Sequence, residues 1–161
     1  MFIFYLLLIA VLFFLQNFLP LPPPWRLDLL TLGLIFVSLR TGFLVSVGLA
    51  LVVGLALDCY GTAPLGVQAG MFLVAVVGVN ILRRHINFLY IMPQIVGVAI
   101  ITLGQAAIVA LLLHLLLPVP VLSPAVVRQS IMQVGVTALG APVFLAWFGW
   151  LAKLWRCWFY Y

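Results

Sequence analysis

Long apolar stretches separated by short turns constrain this chain more than any other feature. Hydrophobic residues make up 68% of its 161 residues, and charged residues only 6%. Soluble globular domains are about half apolar and about a quarter charged. Seven basic and two acidic side chains cannot cover the surface of a water-soluble fold of this size. The sequence therefore predicts an all-α integral membrane protein whose outer side chains face lipid.

Six segments are candidates for membrane-spanning helices, which need about 20 mostly apolar residues. Together they predict a single transmembrane domain over residues 1–161, with spans at residues 2–19, 27–39, 43–57, 64–82, 88–117 and 126–151. Segment 27–39 is short, which leaves a re-entrant segment open as an alternative. The first segment has no basic stretch before it and no small-residue cleavage site after it. We therefore interpret it as a retained span rather than a signal peptide.

The basic residues are distributed unequally between the predicted loops. Six spans with both termini in the cytoplasm place five basic residues inside, Arg40, Arg83, Arg84, Lys153 and Arg156, and only Arg26 and Arg128 outside. This distribution fits the positive-inside rule, and it is lost if segment 27–39 does not cross. We interpret the net charge of +5 as a topology signal and expect no nucleic-acid partner.

The basic and aromatic tail at residues 155–161 is typical of an anchor at the inner headgroups. A docking site for a cytoplasmic partner is the alternative interpretation of this tail. The turn Arg83-Arg84-His85 indicates an inner loop, with contact to anionic lipids as a second possibility.

Asp58 is one of only two acidic residues, and it follows the apolar segment 43–57. A carboxylate at the C-terminus of a helix meets the negative end of the helix dipole, so another group must stabilise it. The fourth segment begins a few residues later, and the free N–H groups of its first turn suit an anion. We expect Asp58 to join the end of the third segment to the start of the fourth. Two alternatives are a hydrated carboxylate at headgroup level and a ligand or proton site.

Glycines recur at every sixth position of the third segment, at Gly42, Gly48 and Gly54. Small residues allow membrane helices to approach closely. Gly54 and Asp58 are four residues apart and therefore share a helix face. We expect these glycines to pack against other helices of this protein, and a partner helix in the same groove is the alternative.

The sequence contains no recognisable catalytic constellation, and we expect neither an enzyme nor a bound cofactor or metal. Nucleophile elbows, zinc-binding helices and phosphate loops are all missing from the chain. Asp28 is too far from Asp58 in sequence to favour a carboxylate pair. His114 lies deep in the fifth segment, where a hydrogen bond to a neighbouring helix is expected, because zinc sites need three or four ligands. Several glutamines and Asn80 can make similar interhelical bonds.

The stretch from Leu27 to Val79 resembles the rod shape-determining protein MreD family. The similarity is carried by Gly-Leu-Ala-Leu-Val-Val-Gly-Leu-Ala-Leu-Asp at residues 48–58, followed by Gly61, Pro64, Leu65 and Gly66. Chain length, short loops and a basic turn after the fourth segment are also similar to that family. The specific similarity covers about a third of the chain, and the remainder shares only a hydropathy profile.

This resemblance implies a non-enzymatic component of the bacterial elongation machinery in the inner membrane. Such proteins bind MreC, which in turn activates the RodA glycosyltransferase and a class B penicillin-binding protein, while MreB lies on the cytoplasmic side. The implied fold is a six-helix bundle like the S-components of energy-coupling-factor transporters, with a cavity open to the outside. The residues that the resemblance assigns to structure or interaction are Gly48, Gly54, Asp58, Gly61, Pro64 and Gly66.

Two functions follow as hypotheses. The first is a membrane scaffold that binds an MreC-like span and supports peptidoglycan synthesis and rod cell shape. The second is an S-component that captures a small molecule from outside, for which an outward cavity with convergent polar groups is expected. An intramembrane enzyme is the third reading, and the sequence offers no nucleophile–base pair for it.

Overall fold

The chain folds into helices connected by short segments. A computed structural model describes residues 2–18, 28–60, 66–85, 88, 90–116 and 124–159. Within these residues there are six helices and no strands: α1 (Phe2–Phe18), α2 (Leu29–Arg40), α3 (Phe43–Tyr60), α4 (Val67–Leu82), α5 (Ile91–Leu116) and α6 (Pro124–Phe159). All six predicted segments therefore correspond to helices.

The second helix lies at the centre of the fold. Every residue from Leu29 to Ser38 is buried, and α2 packs against α1, α3, α4 and α6. A helix that is apolar on all sides has no polar face to present to water, so it is stabilised by being surrounded. Its 12 residues span about 18 Å, less than the thickness of a bilayer core. Neighbouring helices therefore enclose α2 along most of its length.

The remaining helices pack in pairs around α2. The largest interfaces join α3 to α4 and α5 to α6, and α4 also packs against α5. Two residues, Thr41 and Gly42, separate α2 from α3, so the chain reverses sharply between the two helices. The core is made mainly of leucine, valine and alanine, with Phe72 and Phe148 among the fully buried side chains.

Several basic side chains lie at one end of the bundle. An Nη atom of Arg83 donates to the carbonyl of Ser38 at 3.4 Å, which places the C-terminal ends of α2 and α4 side by side. The guanidinium of Arg40 lies 5.6 Å from the centre of the Phe36 ring, a cation–π contact. The rings of Phe4 and Trp155, 5.3 Å apart, join the beginning of α1 to the last part of α6.

The structure corrects several predicted boundaries. Helix α3 continues to Tyr60 rather than ending at residue 57, so Asp58 lies within its last turn. Helix α6 starts at Pro124, includes Pro142 and extends to Phe159, well beyond the predicted end at residue 151. Aromatic and basic residues continue a helix as readily as apolar ones do, so a hydropathy change does not mark its end. Pro93 is the third residue of α5, which makes it a first-turn residue.

Large apolar side chains remain exposed on the outer helices. They include Ile3, Phe18, Leu44, Val52, Met92 and Val143, each more than 60% exposed. Two helices in the described part of the chain, over Ile91–Leu112 and Val127–Trp155, are long and apolar enough to cross a membrane by length and composition. The other four apolar helices are shorter than 18 residues by the same measure.

Candidate functional site

The carboxylate of Asp58 binds the beginning of α4. Its Oδ2 accepts hydrogen bonds from the backbone N–H of Gly66 at 2.9 Å and of Ala69 at 3.4 Å, and its Oδ1 accepts one from Gln68 at 3.0 Å. The side chain is only 3% exposed. We call this arrangement the Asp58 clamp. The predicted link between the third and fourth segments is thereby confirmed, and the hydrated carboxylate is excluded by its burial.

Helix electrostatics explains why the clamp forms. The first N–H groups of α4 have no partner within their own helix and carry partial positive charge. No side chain caps α4 locally, because its N-cap residue is Gly66. The carboxylate from α3 takes that position instead. Gly66 has φ = +97°, and it is the one residue of the described chain with positive φ, a conformation that glycine adopts without steric cost. The glycine turns its N–H toward Asp58.

Gly54 is the close-approach point between α3 and α4. A Cβ atom on residue 54 would lie 2.7 Å from the backbone nitrogen of Ala69 and 2.9 Å from its Cβ. Gly54 and Asp58 therefore contact the same end of α4, as their shared helix face predicts. Gly42 and Gly48 differ, since a Cβ atom on either would meet nothing within 4 Å. The expectation that these two also pack internally is wrong, because they face away from the bundle.

Two of the predicted site residues, Gly61 and Pro64, lie outside the described residues. The side chain of His114 does so as well. His85 is exposed just after α4, and no group of three potential metal-binding side chains occurs in the part of the chain that was described.

A second polar cluster surrounds the start of α2. Asp28 caps this helix, accepting from the N–H of Thr31 at 3.1 Å and from its hydroxyl at 2.6 Å. Gln16 of α1 joins this cluster through its Oε1, which accepts from the N–H of Leu30 at 3.1 Å. Thr31 is fully buried. These hydrogen bonds fix the position of the end of α1 relative to the start of α2.

Gln105 connects this cluster to α4 and α5. Its Nε2 donates to the Thr31 hydroxyl at 3.4 Å and to the carbonyl of Met71 at 3.0 Å. The prediction that glutamines join helices by hydrogen bonds is confirmed at this position. The hydrogen-bonding roles of Asp28, Thr31 and Gln16 were not predicted from the sequence. The available signal was an Asp directly before an apolar run with a Thr three residues later, the pattern of a helix N-cap.

A cavity of about 390 Å³ adjoins this cluster. Most of its wall comes from α5 and α6, and Met71 and Asp28 complete it. Its polar lining residues are Asp28, Thr102, Gln105, Ser130, Gln133 and Thr137. We call it the α5–α6 cavity. Because Leu103, Val127 and Ile131 line it and are also exposed, it opens at the protein surface.

The chain was compared with family models, with curated proteins and with solved structures, and none of these comparisons found a match.

Proposed function

We propose that this protein is a six-span scaffold of the MreD type in the bacterial cytoplasmic membrane, where it binds the membrane span of an MreC-like protein. Through that partner it would support the RodA–penicillin-binding protein synthase and, indirectly, MreB, without catalysing a reaction itself. The resemblance of residues 48–58 and 61–66 to that family supports the proposal. The exposed apolar side chains support its membrane location, because lipid or another helix must cover them.

The observation that carries the proposal is the open face of α3 around Gly48. Leu44, Leu51 and Val52 surround this glycine at helical spacing and are 83%, 37% and 65% exposed. A Cβ atom at Gly48 would meet nothing within 4 Å. The face therefore consists of a shallow groove between apolar ridges, the surface against which a second membrane helix packs closely.

Helix α3 can present this face because its opposite side is already bound. Gly54 and Asp58 hold it against α4, and Leu49, Ala50 and Val53 are buried. Dispersion contacts along a close helix pair drive association inside a bilayer, where the hydrophobic effect contributes little. The proposed mechanism is therefore helix-on-helix packing through the Gly48 groove.

Co-purification with the MreC-like protein of the same organism tests this mechanism. We expect the wild-type chain to retain this partner in mild detergent, and Gly48→Leu to reduce its recovery about tenfold, equivalent to about 1.4 kcal/mol. Gly135→Leu is the matched control, since Gly135 is also exposed with nothing within 4 Å of its Cβ position. Equal recovery with wild type and Gly48→Leu would contradict the proposed interface.

The proposed topology has its own test. Cys59 is exposed beside the Asp58 clamp, at the end of the bundle that six spans place outside. In cells whose outer barrier is permeabilised, a membrane-impermeant maleimide should label Cys59. It should leave a cysteine introduced by Arg84→Cys, in a Cys59→Ser background, unlabelled until the inner membrane is opened. Labelling at position 84 from outside would show that the number of spans is wrong.

The α5–α6 cavity favours the alternative function, a small-molecule-binding S-component. Its volume falls in the range of ligand pockets, about 300–1,000 Å³. Thermal-shift screening of vitamins and metal ions on the purified protein discriminates between the two functions. Tight binding of a vitamin by protein that does not retain the MreC-like partner would favour the S-component.

A further inference from the structure

The α5–α6 cavity is lined by both polar and apolar side chains. On α5 it is lined by one face, with Thr102 and Gln105 first and Val109 and Ala110 one to two turns later. On α6 the lining residues Val127, Ile131, Val134 and Thr137 also recur at helical spacing. Each helix therefore combines apolar lining positions with polar ones, two on α5 (Thr102 and Gln105) and three on α6 (Ser130, Gln133 and Thr137).

Three of the polar side chains, Thr102, Gln105 and Thr137, lie at the same end of the cavity. Helix α5 has 26 residues and is about 39 Å long. The connection from Leu116 to Pro124 reaches at most about 29 Å. Two packed helices with such a connection must run antiparallel. Thr102 and Gln105, early in the α5 face, thus lie opposite Thr137, late in the α6 face.

The groups left free at this end are mainly hydrogen-bond acceptors. Both Nε2 hydrogens of Gln105 are engaged, one by Thr31 and one by Met71, while its Oε1 accepts no bond from the described residues. The hydroxyl of Thr102 donates to the carbonyl of Val98 at 2.9 Å, which leaves its lone pairs. The Asp28 carboxylate, bonded to Thr31 through each oxygen, has lone pairs remaining.

Thr137 supplies an independent indication of a ligand. Its side chain is only 1% exposed, and its Oγ1 is buried without a hydrogen-bond partner. A buried hydroxyl without a partner costs about 1–3 kcal/mol. Threonines in helices usually avoid this cost by bonding a carbonyl one turn back, as Thr102 does. Thr137 instead lines the cavity with an unused donor and acceptor.

We propose that the α5–α6 cavity binds a small amphiphile, with an apolar body between α5 and α6 and a hydrogen-bond-donating head group, a hydroxyl or an ammonium, at Asp28, Gln105 and Thr137. A donating head group fits the free lone pairs of the Gln105 Oε1 and of the Asp28 carboxylate, and the Thr137 hydroxyl can accept from it as well. The apolar body matches the alanine, valine, leucine and isoleucine side chains of the wall. This inference does not depend on the scaffold proposal, and it specifies the ligand class for the cavity that favours the alternative.

Four eight-carbon probes with a terminal ¹⁹F label test the head-group preference: an amine, an alcohol, a carboxylate and an alkane. The full chain is placed in lipid nanodiscs, and saturable binding is measured by ¹⁹F NMR against empty nanodiscs. We expect saturable binding of the amine and the alcohol, with affinities at least tenfold higher than those of the carboxylate and the alkane. Equal or tighter binding of the carboxylate, or no saturable binding of any probe, would overturn the proposal.

Two variants test whether the probes bind in this cavity. Ala110→Phe fills the end of the cavity away from Gln105 and Thr137 and should abolish binding of the amine and the alcohol, whereas Ala146→Phe, at an exposed position on α6, should not. Thr137→Val removes the free hydroxyl at nearly constant volume and should weaken both probes three- to tenfold. Unchanged binding in both Ala110→Phe and Thr137→Val would refute the site. Helicity by circular dichroism confirms that each variant is folded, and partner co-purification reports separately on the scaffold proposal.

Discussion

Gly54 and Ala69 bring the backbones of α3 and α4 into direct contact. A Cβ atom at position 54 would lie 2.7 Å from the Ala69 nitrogen, a distance that real Cβ atoms do not adopt. One turn further along α3, Asp58 binds the N–H groups of Gly66, Gln68 and Ala69. Close approach and hydrogen bonding therefore act on the same end of α4 and fix its position together.

Substitution of this glycine should separate the two helices. We expect Gly54→Ala to lower the free energy of unfolding by about 1–3 kcal/mol, because the neighbouring atoms are backbone and cannot rotate away. Gly48→Ala, on the same helix with open space around it, should be neutral or stabilising by up to about 1 kcal/mol through helix propensity. Unfolding in mixed detergent–SDS micelles measures both. Similar losses for the two variants would refute the assignment of Gly54 as the contact.

Removal of the Asp58 carboxylate should release the start of α4. We expect Asp58→Ala to cost about 2–3 kcal/mol, since three N–H groups at the start of α4 lose a charged acceptor. Asp58→Asn retains one oxygen acceptor and should recover part of this loss. Cys59→Ala is the neighbouring control, because its exposed side chain should contribute no more than about 0.5 kcal/mol. Unfolding in mixed detergent–SDS micelles measures these losses as well. If the unfolding midpoint of Asp58→Ala equals that of the wild type, the Asp58 clamp does not stabilise the protein.

The backbone conformation of Gly66 gives a prediction that does not involve side-chain contacts. A Cβ atom there would meet nothing within 4 Å, so the cost of Gly66→Ala arises only from φ = +97°. We expect a loss of about 1–2 kcal/mol, and a smaller one for Gly66→Asn. Gly70→Ala, one turn into α4 and equally open, should be tolerated or slightly stabilising. Thermal denaturation in detergent provides the comparison, and equal tolerance at both positions would contradict the left-handed conformation.

Substitution by valine should have different effects on the free energy of unfolding at two buried threonines, Thr31 and Thr137. Thr31 donates to Asp28 at 2.6 Å and accepts from Gln105 at 3.4 Å, so Thr31→Val should cost about 1–3 kcal/mol. Thr137 has no hydrogen-bond partner for its Oγ1, so Thr137→Val should leave the ligand-free protein as stable as before or more stable. The free energies of unfolding of the two variants, each measured against the wild type, test this difference. A comparable loss at Thr137 would mean that its hydroxyl has a structural role.

The clamp was predictable because its partners are close in sequence. Asp58 lies eight residues before Gly66, and helix-end electrostatics identifies the N–H groups that an isolated carboxylate needs. The hydrogen bond from Gln105 to Thr31 joins residues 74 positions apart. No local pattern indicates which of several glutamines reaches which helix, because that depends on how the helices pack.

The apolar composition and the spacing of turns determined, from the sequence alone, that this chain forms helices and approximately where they lie. The same sequence did not distinguish Gly48 from Gly54, although both are glycines of α3. Only the tertiary structure decides that Gly54 contacts α4 while Gly48 remains open. It also places α2 at the centre, and Asp28 and Thr137 at one cavity. The physical reason is that periodicity fixes a residue's position around its own helix, whereas packing selects which face meets a neighbour.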